Sequence, residues 1–157
     1  MMEKLSCNKR WVTGWSARTS NTSPDMQAVI GGLWAKLFTG PIPEGACTIG
    51  LYSDYENGVQ GDYTITVGFE SKPGDPVPQG MTQREIPAGE YVRLWASVKD
   101  CAQTAQAVAP LWQQIWSTPL ERTYTGDYEE YLPEGDHWRV NVYAAVKNSP
   151  QEQRRDD

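Results

Sequence analysis

Apolar and polar residues alternate through RWVTGWSARTS (10–20), a run rich in Trp, Val and Thr that predicts a strand. The period then lengthens. In NTSPDMQAVIGGLWAKLF, Met26, Val29, Ile30, Leu33, Trp34 and Leu37 recur three or four residues apart, the spacing of an amphipathic helix. Ser23 is placed to cap that helix, with Pro24 at its first position; Gly31 and Gly32 weaken it, and Gly40-Pro41 ends it. CTIGLYSDYE and DYTITVGFE return to strand periodicity, joined by an NGVQG turn. After SKPGDPVPQG (71–80), a Pro/Gly-rich link too short to separate independent domains, the pattern starts again. TQREIPAGEYVRLWASV predicts a strand interrupted at Pro87-Ala88-Gly89, and a helix over roughly 100–117 follows, with Asp100 as candidate cap and a bend or break at Pro110. RTYTGDYEEYL and HWRVNVYAAV are the closing strands, before the polar tail KNSPQEQRRDD.

The two halves echo each other in residues as well as in order. GGLWAKLFTGPI (31–42) aligns with APLWQQIWSTPL (109–120), so that Leu33, Trp34, Phe38 and Pro41 fall on Leu111, Trp112, Trp116 and Pro119 at one constant offset of 78. Asp54-Tyr55-Glu56 likewise matches Asp127-Tyr128-Glu129, each followed by a Gly-Asp turn and an alternating strand. The shared order predicts an α+β fold built of tandem strand-helix-strand-strand repeats, about 8–70 and 81–147, related by a pseudo-two-fold axis around a central ligand groove. Residues 1–150 read as one domain, with 151–157 a polar tail.

The stretch GDYEEYLP (126–133) sets Asp127, Glu129 and Glu130 in a predicted strand, where carboxylates are poor formers and costly to bury. Alternation points Asp127, Glu129 and Tyr131 one way and Tyr128, Glu130 and Leu132 the other. One carboxylate is then exposed and another faces the groove beside Tyr131; the alternative is that all three are solvated. Near-symmetry would bring Asp54 and Glu56 of the first half towards the same groove. A buried carboxylate ringed by Tyr and Trp makes a strong site for a hydrophobic organic cation, because the ligand supplies the missing charge and buries its apolar body.

Composition sharpens this picture. Seven Trp and eight Tyr stand against only two Phe, and aromatics with a polar edge suit half-wet clefts and interfaces, although core packing accounts for many of them. A net charge of −6 disfavours nucleic acid as a direct partner, since phosphate binding needs a basic face. Cys7, Cys47 and Cys101 are too few and too scattered for a disulfide framework or a zinc site, and His137, the one histidine, reads as a surface residue in the EGDHW turn. No GxSxG, HExxH, P-loop or GxGxxG occurs, so no metal, cofactor or catalytic residue is expected; a Glu/Tyr pair activating water on a strained electrophile is the enzymatic alternative. With no signal-like apolar segment and no apolar run approaching 18 residues, a reduced, cytoplasmic protein without membrane contact is expected.

GWSARTSN, the LW of the first helix, GLYSDYE…GDYTITVGFE, IPAGEYVRLW, LWQQIW and DYEEY, in that order over about residues 8–147, resemble the GyrI-like effector-binding domain, the ligand module of many AraC-type and some MerR-type transcription regulators. The chain is similar in particular to a stand-alone cationic-drug-binding module carried on an integron gene cassette. The resemblance implies a groove for amphipathic, often cationic, small molecules with a key glutamate in a D-aromatic-E-x-Y segment. That glutamate is Glu129 here, with Tyr131 two residues on, and Glu130 is the rival if the strand slips by one residue. Trp15, Tyr52, Tyr91, Trp95, Trp112, Trp116 and Trp138 are the candidate walls, Trp112 being open to a purely structural role. No stretch is left over for a helix-turn-helix. Stand-alone members that bind partner proteins, and others that hydrolyse cyclopropane-bearing toxins, keep a protein-interaction module and a hydrolase as the alternatives.

Overall fold

Eight strands form one antiparallel sheet in the order β1-β6-β8-β7-β3-β4-β2-β5 in the computed structural model, which describes residues 2–40, 42–58 and 60–147. The strands are β1 (Glu3–Cys7), β2 (Arg10–Ser20), β3 (Thr48–Ser53), β4 (Asp62–Ser71), β5 (Thr82–Ile86), β6 (Gly89–Val98), β7 (Asp127–Glu134) and β8 (His137–Ala145). The helices are α1 (Met26–Phe38) and α2 (Thr104–Ser117). Pro41, one member of the repeat alignment, and the 151–157 tail lie outside the described residues. No helix among the described residues is long and apolar enough to cross a membrane.

The duplicated pattern is visible in the topology. β2-α1-β3-β4 and β6-α2-β7-β8 are the two repeats, and they meet where β3 pairs β7, at the middle of the sheet. Outward from that seam the order is β4-β2-β5 on one side and β8-β6-β1 on the other. The edges are exchanged: β1, which precedes the first repeat, pairs with β6 of the second, while β5, which precedes the second, pairs with β2 of the first. Each repeat therefore closes the other's sheet. The sheet curls into a half-barrel, and Gly14 opposite Gly68 permits close approach of β2 and β4. A Cβ on Gly14 would fall 2.0 Å from the Val67 carbonyl oxygen, a distance no side chain tolerates.

Several boundaries differ from those the sequence predicts, each for a local reason. β1 goes unforeseen because five residues of mixed polarity at a sheet edge carry little pattern. α1 begins at Met26, after Asp25, since turns from Ser20 to Ser23 and from Ser23 to Met26 hold the preceding segment, and the Ser23 hydroxyl donates to Asp25 instead of capping the helix. The interrupted strand is two strands with different partners. Asp100 caps a short 3₁₀ turn (Cys101–Gln103) that leads into α2, and its capping box with Gln103 is complete. α2 runs through Pro110 unbroken: Pro110 and Gln106 are exposed, so the Gln106 carbonyl that loses its partner faces solvent. β7 begins only at Asp127, because Tyr124 takes a left-handed backbone (φ 56°) that no strand accommodates.

Three apolar clusters hold these elements. α2 packs Leu111, Trp112 and Ile115 on Val92, Leu94, Val140 and Val142, while α1 packs Leu37 with Tyr63, Ile65, Val67 and Phe69. The third cluster, Val12, Ile49, Leu51, Ile86, Tyr91, Tyr128, Tyr143 and Ala145, fills the opposite, helix-free side of the sheet.

Candidate functional site

α1 rests on β2 and β4, and α2 on β6 and β8, so neither helix covers β3 and β7. The space left above that central pair is a cavity of about 910 Å³. That lies at the upper end of the range of about 300–1,000 Å³ typical of small-molecule sites. Tyr52, Tyr63, Glu129 and Tyr131 form its floor; Met26, Ile30 and Trp34 of α1 and Val108, Trp112 and Trp116 of α2 form its walls. Each helix carries an aromatic pair one turn apart: Trp34 with Phe38 (centroids 5.9 Å apart) and Trp112 with Trp116 (6.4 Å). The outer ring of each pair is exposed, Trp116 by 54% and Phe38 by 57%.

All three acids of GDYEEYLP are buried, which corrects the expectation of at least one solvated carboxylate. Their faces follow the alternation. Asp127 and Glu129 lie on the cavity side of β7, whereas Glu130 enters the cluster on the other side. Two of the three have a cation. Asp127 accepts from Arg122 Nη2 at 2.7 Å, Tyr55 Oη at 2.6 Å and the Ala145 amide at 2.8 Å. Glu130 pairs with Arg10 Nη2 at 2.9 Å and accepts from Tyr143 Oη at 2.8 Å and Asn141 Nδ2 at 2.9 Å. Burial pushes the Glu130 carboxyl up, but Arg10 and these donors more than offset it and hold it below the usual carboxylate range.

Glu129 differs. It is 3% exposed, and no cationic side chain among the described residues pairs with it. Tyr52 Oη donates to its Oε1 at 2.6 Å and Tyr131 Oη to its Oε2. Burial outweighs those donors, so the carboxyl is raised above its ordinary value. The Trp112 indole N–H also draws it down, yet among the described residues that buried N–H has no partner of hydrogen-bonding geometry, so it is an adjacent dipole and not a third bond. Both phenols are themselves pushed well above the usual tyrosine range by burial and by the Glu129 charge, which keeps them protonated as donors. Each is edge-on to a tryptophan of a different helix: Tyr131 to Trp34 (5.1 Å) and Tyr52 to Trp112 (5.3 Å). Directly across the β3–β7 ladder from Glu129 is Gly50, where a Cβ would come within 3.3 Å of Glu129 Cγ and 3.4 Å of the Trp34 ring. The missing side chain makes room for both.

The first half supplies no matching acid. Asp54 and Glu56 are exposed and pair with Arg84 (2.7 Å) and Arg18 (3.2 Å), against the expectation that both halves send carboxylates to the groove. A left-handed Asp54 (φ 52°) ends β3 at Ser53, so this Asp-Tyr-Glu lies beyond its strand while the other lies within β7. The site is asymmetric despite the duplicated frame.

Of the expected walls, Tyr52, Trp112 and Trp116 line the cavity with Glu129 and Tyr131; four others do not. Tyr91, 1% exposed, packs on Tyr128 and Tyr143 on the far side of the sheet. Trp95 shares that side, between Arg93 (5.9 Å) and Arg139 (5.1 Å), because Val92 and Leu94 take the face towards α2. Trp15 packs against the α1 cluster under Lys36 Nζ, 4.1 Å from its ring. Trp138 stands at the start of β8 opposite Val98 and Pro133, away from the cavity. His137 is on the surface, against Asp136 at 2.6 Å. Trp34 is absent from the expected walls although its 78-residue offset from Trp112 is a signal that could have found it, whereas Tyr55, Tyr63, Arg122 and Tyr124 reach the cavity without any signal in the local pattern. No group of three or more metal-ligating side chains occurs among the described residues.

Comparison with known proteins places this architecture. The sequence model of integron-associated effector binding proteins matches residues 6–146. A crystal structure of the Vibrio cholerae integron cassette protein VCH_CASS2 superposes with a TM-score of 0.76 at 27% identity, over 93% of this chain and 95% of that one. SAV2435 bound to tetraphenylphosphonium shares the fold, with a TM-score of 0.66 at 12% identity over 94% of each chain. YobU of Bacillus subtilis (strain 168), named as a candidate transcriptional regulator, is 31% identical over 106 residues, 63% of this chain and 63% of that protein. The aligned stretch thus spans less than two thirds of that relative.

Proposed function

The chain belongs to the family of integron-associated effector binding proteins, and on that footing we propose that it binds hydrophobic organic cations between α1 and α2, with Glu129 as the counter-ion. The observation that carries this reading is a buried carboxylate, Glu129, with no cation among the described residues, lining a cavity whose one basic side chain, Arg122, is already paired with Asp127 behind the wall. A cationic guest completes the pair. It also buries its apolar surface against Trp34, Trp112 and Trp116, whose faces add cation–π attraction of about 0.5–2 kcal/mol each. Tyr52 and Tyr131 hold the two Glu129 oxygens in place before the ligand arrives, which lowers the ordering cost of binding. The fold neighbour bound to tetraphenylphosphonium, an aromatic cation, supports this ligand class.

Fluorescence titration of a cationic aromatic dye tests the proposal. Glu129→Gln weakens the dye by about 100-fold or more, the effect of unpairing a buried charge, while a neutral analogue binds both forms equally poorly. Unchanged dye affinity in the Glu129→Gln protein refutes the assignment.

A further inference from the structure

Arg122 is an underused donor on the cavity wall. Its side chain is 8% exposed and lines the cavity, yet among the described residues one of its five N–H donors goes to Asp127, and the buried Nε has no hydrogen-bond partner. A buried guanidinium left short of acceptors is costly, and beside a ligand cavity an acceptor that arrives with the ligand would remove that cost. The surroundings hold the group in place. Tyr124 lies 4.5 Å from its carbon and itself lines the cavity, and to do so it adopts a left-handed backbone that is costly for an aromatic residue. The ring packs edge-on to Tyr55 at 5.4 Å between centroids, and it lies beside Gly58, where an added Cβ would fall 3.5 Å from it.

We propose that Arg122 is a second recognition point of this cavity, donating to an oxygen acceptor, a carbonyl or carboxylate, on the same ligand whose cation meets Glu129. This rests on the cation reading above and narrows it from apolar cations in general to cations that also carry an oxygen acceptor. The spacing follows from β7. Asp127, which anchors Arg122, and Glu129 are two residues apart on one strand face, so the two anchoring positions lie about 7 Å apart along the strand. Charge agrees: Arg122 and Asp127 cancel, so a neutral acceptor is accommodated without loss, and a carboxylate gains from the nearer guanidinium. Trp34, Trp112 and Trp116 then grip the ligand body between the poles.

Three dyes with the same xanthene cation and pendant phenyl ring separate the outcomes: tetramethylrosamine, which has no acceptor; tetramethylrhodamine methyl ester, a neutral acceptor; and tetramethylrhodamine free acid, a carboxylate. Fluorescence polarisation with the intact protein is expected to show the ester about 10-fold or more tighter than the rosamine, the size of one hydrogen bond to a charged group. The free acid, whose carboxylate is the other acceptor, is likewise expected to bind more tightly than the rosamine. In Arg122→Lys the ammonium still neutralises Asp127 but lacks the fork that serves two acceptors, so the ester-to-rosamine ratio falls towards one. Equal binding of the ester and rosamine by the unaltered protein overturns the inference, as does a ratio that survives in the Arg122→Lys variant; if that variant does not fold, the ratio in the unaltered protein decides alone. Glu129→Gln weakens all three dyes alike and leaves the ratio. Failure of every dye to bind the unaltered protein sinks the cation reading and this inference with it.

Discussion

Glu129→Gln should stabilise the empty protein while disabling it. In the ligand-free fold an ionised Glu129 has two phenol donors but no cation, and it is almost wholly removed from water. Its folded pKa is therefore raised above the unfolded value. The sign follows by linkage: the protonated form is favoured by folding, so its contribution is intact below the unfolded pKa and is lost as pH rises through the folded one. Each unit by which the pKa is raised removes about 1.4 kcal/mol at alkaline pH. For a chain of this length that is about 3–6 °C in Tm per unit, taking about 2–4 °C per kcal/mol. Glutamine keeps an acceptor for one tyrosine and presents a donor to the other phenol oxygen, without the charge. Thermal melts of both proteins across pH 4–8.5 check this: the variant melts higher at pH 8, and its advantage shrinks towards zero near pH 4. A variant that melts lower at pH 8 would mean the carboxylate is stabilised by a charge this structure does not contain, and the reasoning fails.

The adjacent acid behaves oppositely. Arg10→Met leaves Glu130 buried without its cation and should cost about 3 kcal/mol, the low end for a broken buried pair because Arg10 is 21% exposed, as read by urea unfolding. Dye affinity in that variant stays within two-fold, since Arg10 and Glu130 lie on the far side of the sheet; a large loss of affinity would argue that the two faces are coupled. Trp116→Ala removes an exposed ring and should change stability by no more than about 0.5 kcal/mol. The same change weakens an aromatic cation about 3–10-fold through lost stacking, measured by calorimetric titration.

The repeat was legible because both halves use the same helix pattern and the same strand pair, and both patterns survive in α1/α2 and in β3-β4/β7-β8. The exchange of β1 and β5 between the halves was not, since edge pairing is decided by curl and register and leaves no mark on five-residue strands. Alternation along β7 separated Glu129 and Tyr131 from Glu130 and Tyr128, and it failed only on burial: the arginines that make Asp127 and Glu130 tolerable inside come from positions 122 and 10, and pairing across the sheet is invisible to local pattern. The same blindness misplaced Tyr91 and Trp95. A strand that is aromatic on one side and aliphatic on the other does not declare which side meets a helix, and α2 took the aliphatic side. The matching Asp-Tyr-Glu segments misled for a different reason, because a left-handed residue at position 54 ends one strand where the other begins.

Proton release on ligand binding bears most closely on the claim that Glu129 awaits a cation. A cation that pairs with a carboxylate of raised pKa must ionise it, so calorimetric titration of tetraphenylphosphonium in buffers of different ionisation enthalpy should show protons leaving as the ligand binds, increasingly as pH falls from 8 to 5. The Glu129→Gln protein should release none. Binding by the unaltered protein with no proton release anywhere in that range, or equal release by both proteins, would contradict the account.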